Sequence, residues 1–221
     1  MNFAVSHFSQ YAVGYNKVPF ADVPESADCY AAVTFCAARG ITNGTGNGLF
    51  SPNDTLTRGQ FIVMCMRAYD IEPDADPKDN FSDAGNTYYT GYLSAAKRLG
   101  ISNGVGDNLY LPEGKLSTQD MLTLLYRTLD CLDRLPAAGT GGALSDLADS
   151  ADVADYAKEA VEAFLSTGVV TSSAGRLHPT GEAARAAMVQ VLYNLLCFPA
   201  YGLVATSPIC KTVVAGRRQH Q

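Results

Sequence analysis

Arg58 and Arg185 each stand six residues beyond a proline, Pro52 and Pro179, at the head of a long apolar stretch. Thr118 holds the same place after Pro112. A planar guanidinium can grip a carboxylate through two parallel N–H bonds, which a threonine hydroxyl cannot. Where a helix begins at such a position, its first amides add partial positive charge to the same spot. The pattern suits binding of an anion at two of three equivalent places. The plainer alternative is an arginine that is simply exposed at the first position of a helix.

Chemistry that would turn over a substrate is missing. The three histidines, His7, His178 and His220, lie far apart, and neither G-x-S-x-G nor H-E-x-x-H occurs. The acidic pair Asp149 and Asp152 reads as helix caps. The run Asn43-Gly-Thr45-Gly-Asn47-Gly48 to Asp54 has the spacing of a calcium loop but a single carboxylate, and Gly114 stands at the last position of its second copy. It reads as a turn or a sugar-facing loop. No glycine pattern has the lysine of a phosphate loop. The six cysteines form no C-x-x-C or C-x-x-H, and Cys29 and Cys36 are too far apart on a helix for a disulfide. They read as small buried thiols, with some disulfide as the lesser possibility. The expectation is no enzyme, no cofactor and no metal.

Net charge is −6, and the stretch 198–221 is basic, so the rest is more acidic still. Such an acidic balance argues against nucleic acid as the main partner. No apolar run is long enough to span a membrane. No secretion signal is visible, so for a secreted protein it would lie outside this chain.

The candidate residues recur in order. Phe20-Ala-Asp22-Val23 returns as Phe81-Ser-Asp83-Ala84 and as Leu144-Ser-Asp146-Leu147. Gly40-Ile41-Thr-Asn-Gly44 returns as Gly100-Ile101-Ser-Asn-Gly104, and Gly168-Val169 is an eroded third copy. Phe50-Ser-Pro52 returns as Tyr110-Leu-Pro112 and Leu177-His-Pro179. Repeats at this period cannot bury their apolar faces alone and must stack.

Each unit reads as two helices joined by a glycine-rich loop. Tyr30, Val33, Thr34 and Ala37 share one helical face, and Gly40 stops that helix. The counterparts run from about Tyr88 to Leu99 and from about Val153 to Ser166. Thr57-Arg-Gly-Gln60 opens the second helix as a capping box. Ser117 to Asp120 is a looser version, and Ala184 leaves the third start without a cap. Second helices starting near Arg58, Gln119 and Ala186 should pack together as a three-helix bundle. The fold class expected is all-α, an intramolecular pseudo-trimer of repeats at 20–75, 81–135 and 144–198. Residues 1–19 alternate like a β-strand at His7 to Val13, as the remnant of an upstream cargo domain would. Residues 199–221 read as a loose tail.

Taken together, these motifs resemble the S-layer homology family, over about Phe20 to Phe198. The resemblance implies a three-pronged spindle on a central bundle. It also implies non-covalent attachment to the Gram-positive cell wall through secondary cell-wall polysaccharide, often pyruvylated, in grooves between units. A pyruvate ketal carries the carboxylate that Arg58 and Arg185 could hold, with Thr118 in the weakest groove. The loops of those grooves would add Asp22, Asp83, Asp146, Gly44 and Gly104. The family's tryptophan slot holds Asp28, Tyr88 and Tyr156. The other reading is a degenerate scaffold that contacts proteins without binding glycan.

Overall fold

A computed structural model describes residues 16–137 and 139–197. The strand expected at 7–13 and the tail at 199–221 lie outside the described residues. Six α-helices form, α1 (Tyr30–Ala38), α2 (Arg58–Ala68), α3 (Thr90–Arg98), α4 (Thr118–Cys131), α5 (Lys158–Ser166) and α6 (Arg185–Cys197). Among the described residues there are isolated bridges but no strand, so the all-α class stands.

Glycine ends the first helix of each unit. Gly40, Gly100 and Gly168 have φ of 70°, 74° and 72°, which a Cβ would strain. Around Gly40 the amide of Ile41 reaches back to the Cys36 carbonyl, and Gly40 itself donates to Ala37. That is the Schellman pattern, and Ile101 with Ala96 repeats it. The starts differ from the sequence reading. α3 begins at Thr90 rather than Tyr88, and α5 begins at Lys158, preceded by 3-10 turns at Ser150–Asp152 and Asp155–Ala157.

The second helices start at the same position in all three units. Thr57 forms the full capping box with Gln60, and Ser117 accepts the Asp120 amide. α6 starts at Arg185 although Ala184 offers no side-chain cap; the Ala187 amide that a cap would take reaches the Ala184 carbonyl instead. The Arg185 and Ala186 amides donate to Asp54 and Pro52 carbonyls at 3.0 and 2.9 Å.

The units are interlocked, not merely stacked. Each second helix packs on the first helix of the next unit, α2 on α3, α4 on α5, and α6 back on α1. α2 also touches both α4 and α6. At the axis three backbone bonds close a ring. Leu56 donates to Ala183 at 2.8 Å, Ala183 to Leu116 at 2.8 Å, and Leu116 to Leu56 at 3.0 Å. All three residues are buried, so each bond is shielded from water and each unit depends on both others. Phe61, Ile62, Met66, Met121, Leu122, Met188 and Leu192 fill the centre. A unit of this size would bury little of this surface alone.

The described cysteines are free thiols. Cys36 and Cys65 are buried, and burial pushes each thiol up to about 12. Cys29 and Cys197 are half-buried and Cys131 is exposed, so the buried-thiol reading holds for two of the five. No described helix is long and apolar enough to cross a membrane.

Candidate functional site

Each second helix docks its first turn on the proline loop of the next unit. Arg58 and Gly59 amides donate to Gly114 and Pro112, and Thr118 and Gln119 amides to Gly181 and Pro179. The third amide of α2 and α4 goes to the Thr57 and Ser117 caps. The first-turn amides are therefore spent inside the protein. The expectation that they face a ligand as a positive helix end is corrected: the neighbouring loop's carbonyls already occupy that position.

The side chain at the head of each helix lies over the same loop. Arg58 donates from Nε to the Tyr110 carbonyl at 2.7 Å, with its guanidinium carbon 4.6 Å from the Tyr110 ring centre. Arg185 donates from Nε to Phe50 at 2.9 Å and from Nη1 to Gln60 Oε1 at 3.1 Å, over the Phe50 ring. The two differ in access. Arg58 is half-buried, whereas Arg185 is 2% exposed and its Nη2 is buried with no hydrogen-bond partner among the described residues. Burial lowers the Arg185 pKa, against the attraction of Asp54, Tyr88 and Asp22. Arg185 is thus a strut between units three and one, not the open cation that its position in the sequence suggests.

Every interface draws on all three units. Arg185 of unit three meets Gln60 of unit one, and Tyr88 of unit two adds its field. The equivalent positions of the next interface are Arg58, Asp120 and Tyr156. There Tyr156 donates to Asp120 at 2.7 Å, and Asp120 also accepts from the Ser117 hydroxyl at 2.6 Å. Partial burial and the Asp120 bond push the Tyr156 phenol up to about 12. Tyr88 and Tyr156 remain 59% and 53% exposed. The third interface has Thr118, Ala187 and Asp28 at these positions. It lacks the cation, the acceptor and the aromatic, and the Thr118 hydroxyl turns to the Gly181 carbonyl at 3.4 Å.

Asp22 and Asp83 hold the proline loops from below. Asp22 accepts the amides of Phe50 and Ser51 at 2.9 and 2.7 Å, and Asp83 those of Tyr110 and Leu111 at 2.9 and 2.7 Å. Burial works against the Asp22 charge, but these amides, with Arg185 nearby, outweigh it and hold the pKa below the usual range. Ser51, Leu111 and His178 all have positive φ, 58°, 57° and 54°, and the carboxylate bonds stabilise that backbone.

In unit three this carboxylate is Asp149, which accepts Leu177 and His178 amides. Asp146 instead accepts the Ala143 amide three residues back. The sequence alignment of Leu144-Ser-Asp146 is corrected to Leu147-Ala-Asp149, with Leu147 buried where Phe20 and Phe81 are. The same finding overturns the reading of Asp149 as a helix cap. The signal that could have located it was the near-constant distance in sequence from each aspartate to its proline loop, 28, 27 and 28 residues.

Gly44 and Gly104 are fixed by packing. A Cβ on either would strike the Leu49 or Leu109 carbonyl oxygen and the Phe20 or Phe81 ring. The loop at Asn43–Asp54 is a tight turn bridged between Gly46 and Leu49, repeated at Gly106 and Leu109 and at Ser173 and Arg176. Among the described residues no group of three metal-ligating side chains gathers.

The model of the S-layer homology domain matches residues 19–62 and 80–122, the first two of these helix–loop–helix units. The chain carries S-layer homology domains. Its third unit has the same architecture, with Asp149, Gly168 and the Ala183 link in the ring. Among curated relatives, a cell surface protein of Thermoanaerobacter kivui is 32% identical over 57% of this chain. The S-layer protein sap of Bacillus anthracis is 29% identical over 48%. An amylopullulanase of Thermoanaerobacterium thermosulfurigenes is 27% identical over 89%. The matched stretch amounts to only 17%, 13% and 10% of those proteins. S-layer homology domains are cell-surface anchoring domains.

Proposed function

We propose that this chain anchors a protein non-covalently to secondary cell-wall polysaccharide, recognising a pyruvate ketal of that polymer as its carboxylate. The observation that carries the reading is Arg58 seated on Tyr110, with Tyr156 at the position that Tyr88 holds in the field of Arg185. A half-buried arginine is held in place by one backbone carbonyl, and Tyr156 is 53% exposed. A fixed fork loses little freedom on gripping a carboxylate, and the ring face suits the apolar side of a sugar. The Arg185 interface is the second candidate and requires Arg185 to become accessible. Asp22, Asp83, Gly44 and Gly104 act by shaping the loops. Relatives named as S-layer protein and as amylopullulanase share the module, as suits a part whose work is attachment. The module would hold at the wall whatever domain is joined to it.

A scaffold reading has one observation in its favour, the Thr118 interface, whose second helix begins without an arginine. Pull-down with purified sacculi separates the two. The anchor reading expects retention on native walls and release after the polysaccharide is stripped or its ketal hydrolysed. Retention that ignores both treatments would overturn it.

A further inference from the structure

Leu111 breaks two ordinary rules at once. It is an exposed leucine, 48% accessible, and it sits at φ 57° immediately before a proline, where extended backbone is the norm. The fold does require that backbone, since Ser51 and His178 adopt it before Pro52 and Pro179. It does not require an apolar side chain there, since the other two units use polar ones. Val105 on the adjoining turn is also apolar and 51% exposed. In unit one the same two positions are Thr45 and Ser51, whose hydroxyls bond to each other at 2.8 Å. Unit two has replaced a hydroxyl pair with an open apolar pair.

The replacement lies beside the cation. A Cβ built on Gly114 would be 3.5 Å from the Arg58 Cδ and 3.5 Å from the Leu111 Cβ, so the two side chains flank one small patch of surface. An occupant of that patch has the Arg58 side chain, which ends in a guanidinium, on one side and apolar surface on the other. A carboxylate on a carbon that also bears a methyl group has this polarity. A uronate has the same charge without the methyl.

We infer that Leu111 is a specificity residue, selecting at the Arg58 interface a ketal-type carboxylate with its methyl group over a uronate of equal charge. The inference rests on the glycan-binding reading above and names its chemistry. Covering one methyl group is worth about four-fold in affinity.

Calorimetry on the full chain tests it with two synthetic saccharides, a pyruvate ketal of an amino sugar and a uronic acid of the same length. The unaltered chain should prefer the ketal. Leu111→Ser, the residue that unit one uses at this φ, should weaken ketal binding about four-fold and leave uronate binding unchanged. Leu111→Met should keep the preference, and Arg58→Gln should weaken both ligands. Circular dichroism checks that each variant is folded. Equal loss for both saccharides, or no change for either, would overturn the role of Leu111. If the unaltered chain bound neither saccharide, the glycan reading itself would fail, and this inference with it.

Discussion

Asp149 accepts the backbone amide of His178 at 2.8 Å, tying the start of unit three to its proline loop. Asp146, three residues earlier in a more motif-like setting, only closes its own turn. Asp149→Ala should therefore lower the melting temperature clearly, while Asp146→Ala leaves it near that of the unaltered chain. Thermal unfolding followed by circular dichroism would show the order, and a larger effect at Asp146 would contradict the assignment.

The same carboxylate sets a pH dependence. Burial pushes the Asp149 pKa up, but the Leu177 and His178 amides outweigh it and the net shift is down. A depressed carboxylate contributes stability that is fully present above its unfolded pKa, near 3.9. That contribution is lost as pH falls through the lower folded value. Asp22 follows the same rule. Asp149→Asn should make unfolding less sensitive to acid below about pH 4, measured as midpoint against pH.

Arg185→Ala should cost about 3 kcal/mol of stability. It strips donors from the Phe50 carbonyl and from Gln60 and leaves a hole between units. Arg185→Lys should recover little, because an ammonium cannot serve both acceptors in the guanidinium's geometry. Urea denaturation reads the difference. Any loss of wall binding in these variants reports the fold before it reports the ligand.

Removing unit three should unfold more than unit three. α1 would lose α6, α4 would lose α5, and the backbone ring at Leu56, Leu116 and Ala183 would open. A chain ending at Ala137 should show no cooperative transition, whereas the three-unit chain should melt as one. A sharp transition in the shorter chain would contradict the interlocked arrangement.

Much of this was legible in the residues. The glycine stops at Gly40, Gly100 and Gly168, the Thr57 capping box and the repeat order all reflect local chemistry, and local chemistry is written in adjacent positions. The rest was tertiary. Nothing near Arg185 says that Phe50 and Gln60 will enclose it, and nothing near Ala184 says that Asp54 and Pro52 will take the Arg185 and Ala186 amides. The first-turn amides looked free because their acceptors, Gly114 and Gly181, belong to another unit. Asp146 misled for the opposite reason: a good local match stood beside the residue that makes the long-range bond.

Calorimetry of the chain and of Arg58→Ala with a pyruvylated wall saccharide tests the central claim most directly. Hydrogen bonds to a charged group contribute about 1.5–3 kcal/mol, so the substitution should weaken binding at least about tenfold. Thr118→Ala should change it little, and circular dichroism should show both variants folded. Saccharide binding by Arg58→Ala equal to that of the unaltered chain would contradict the account.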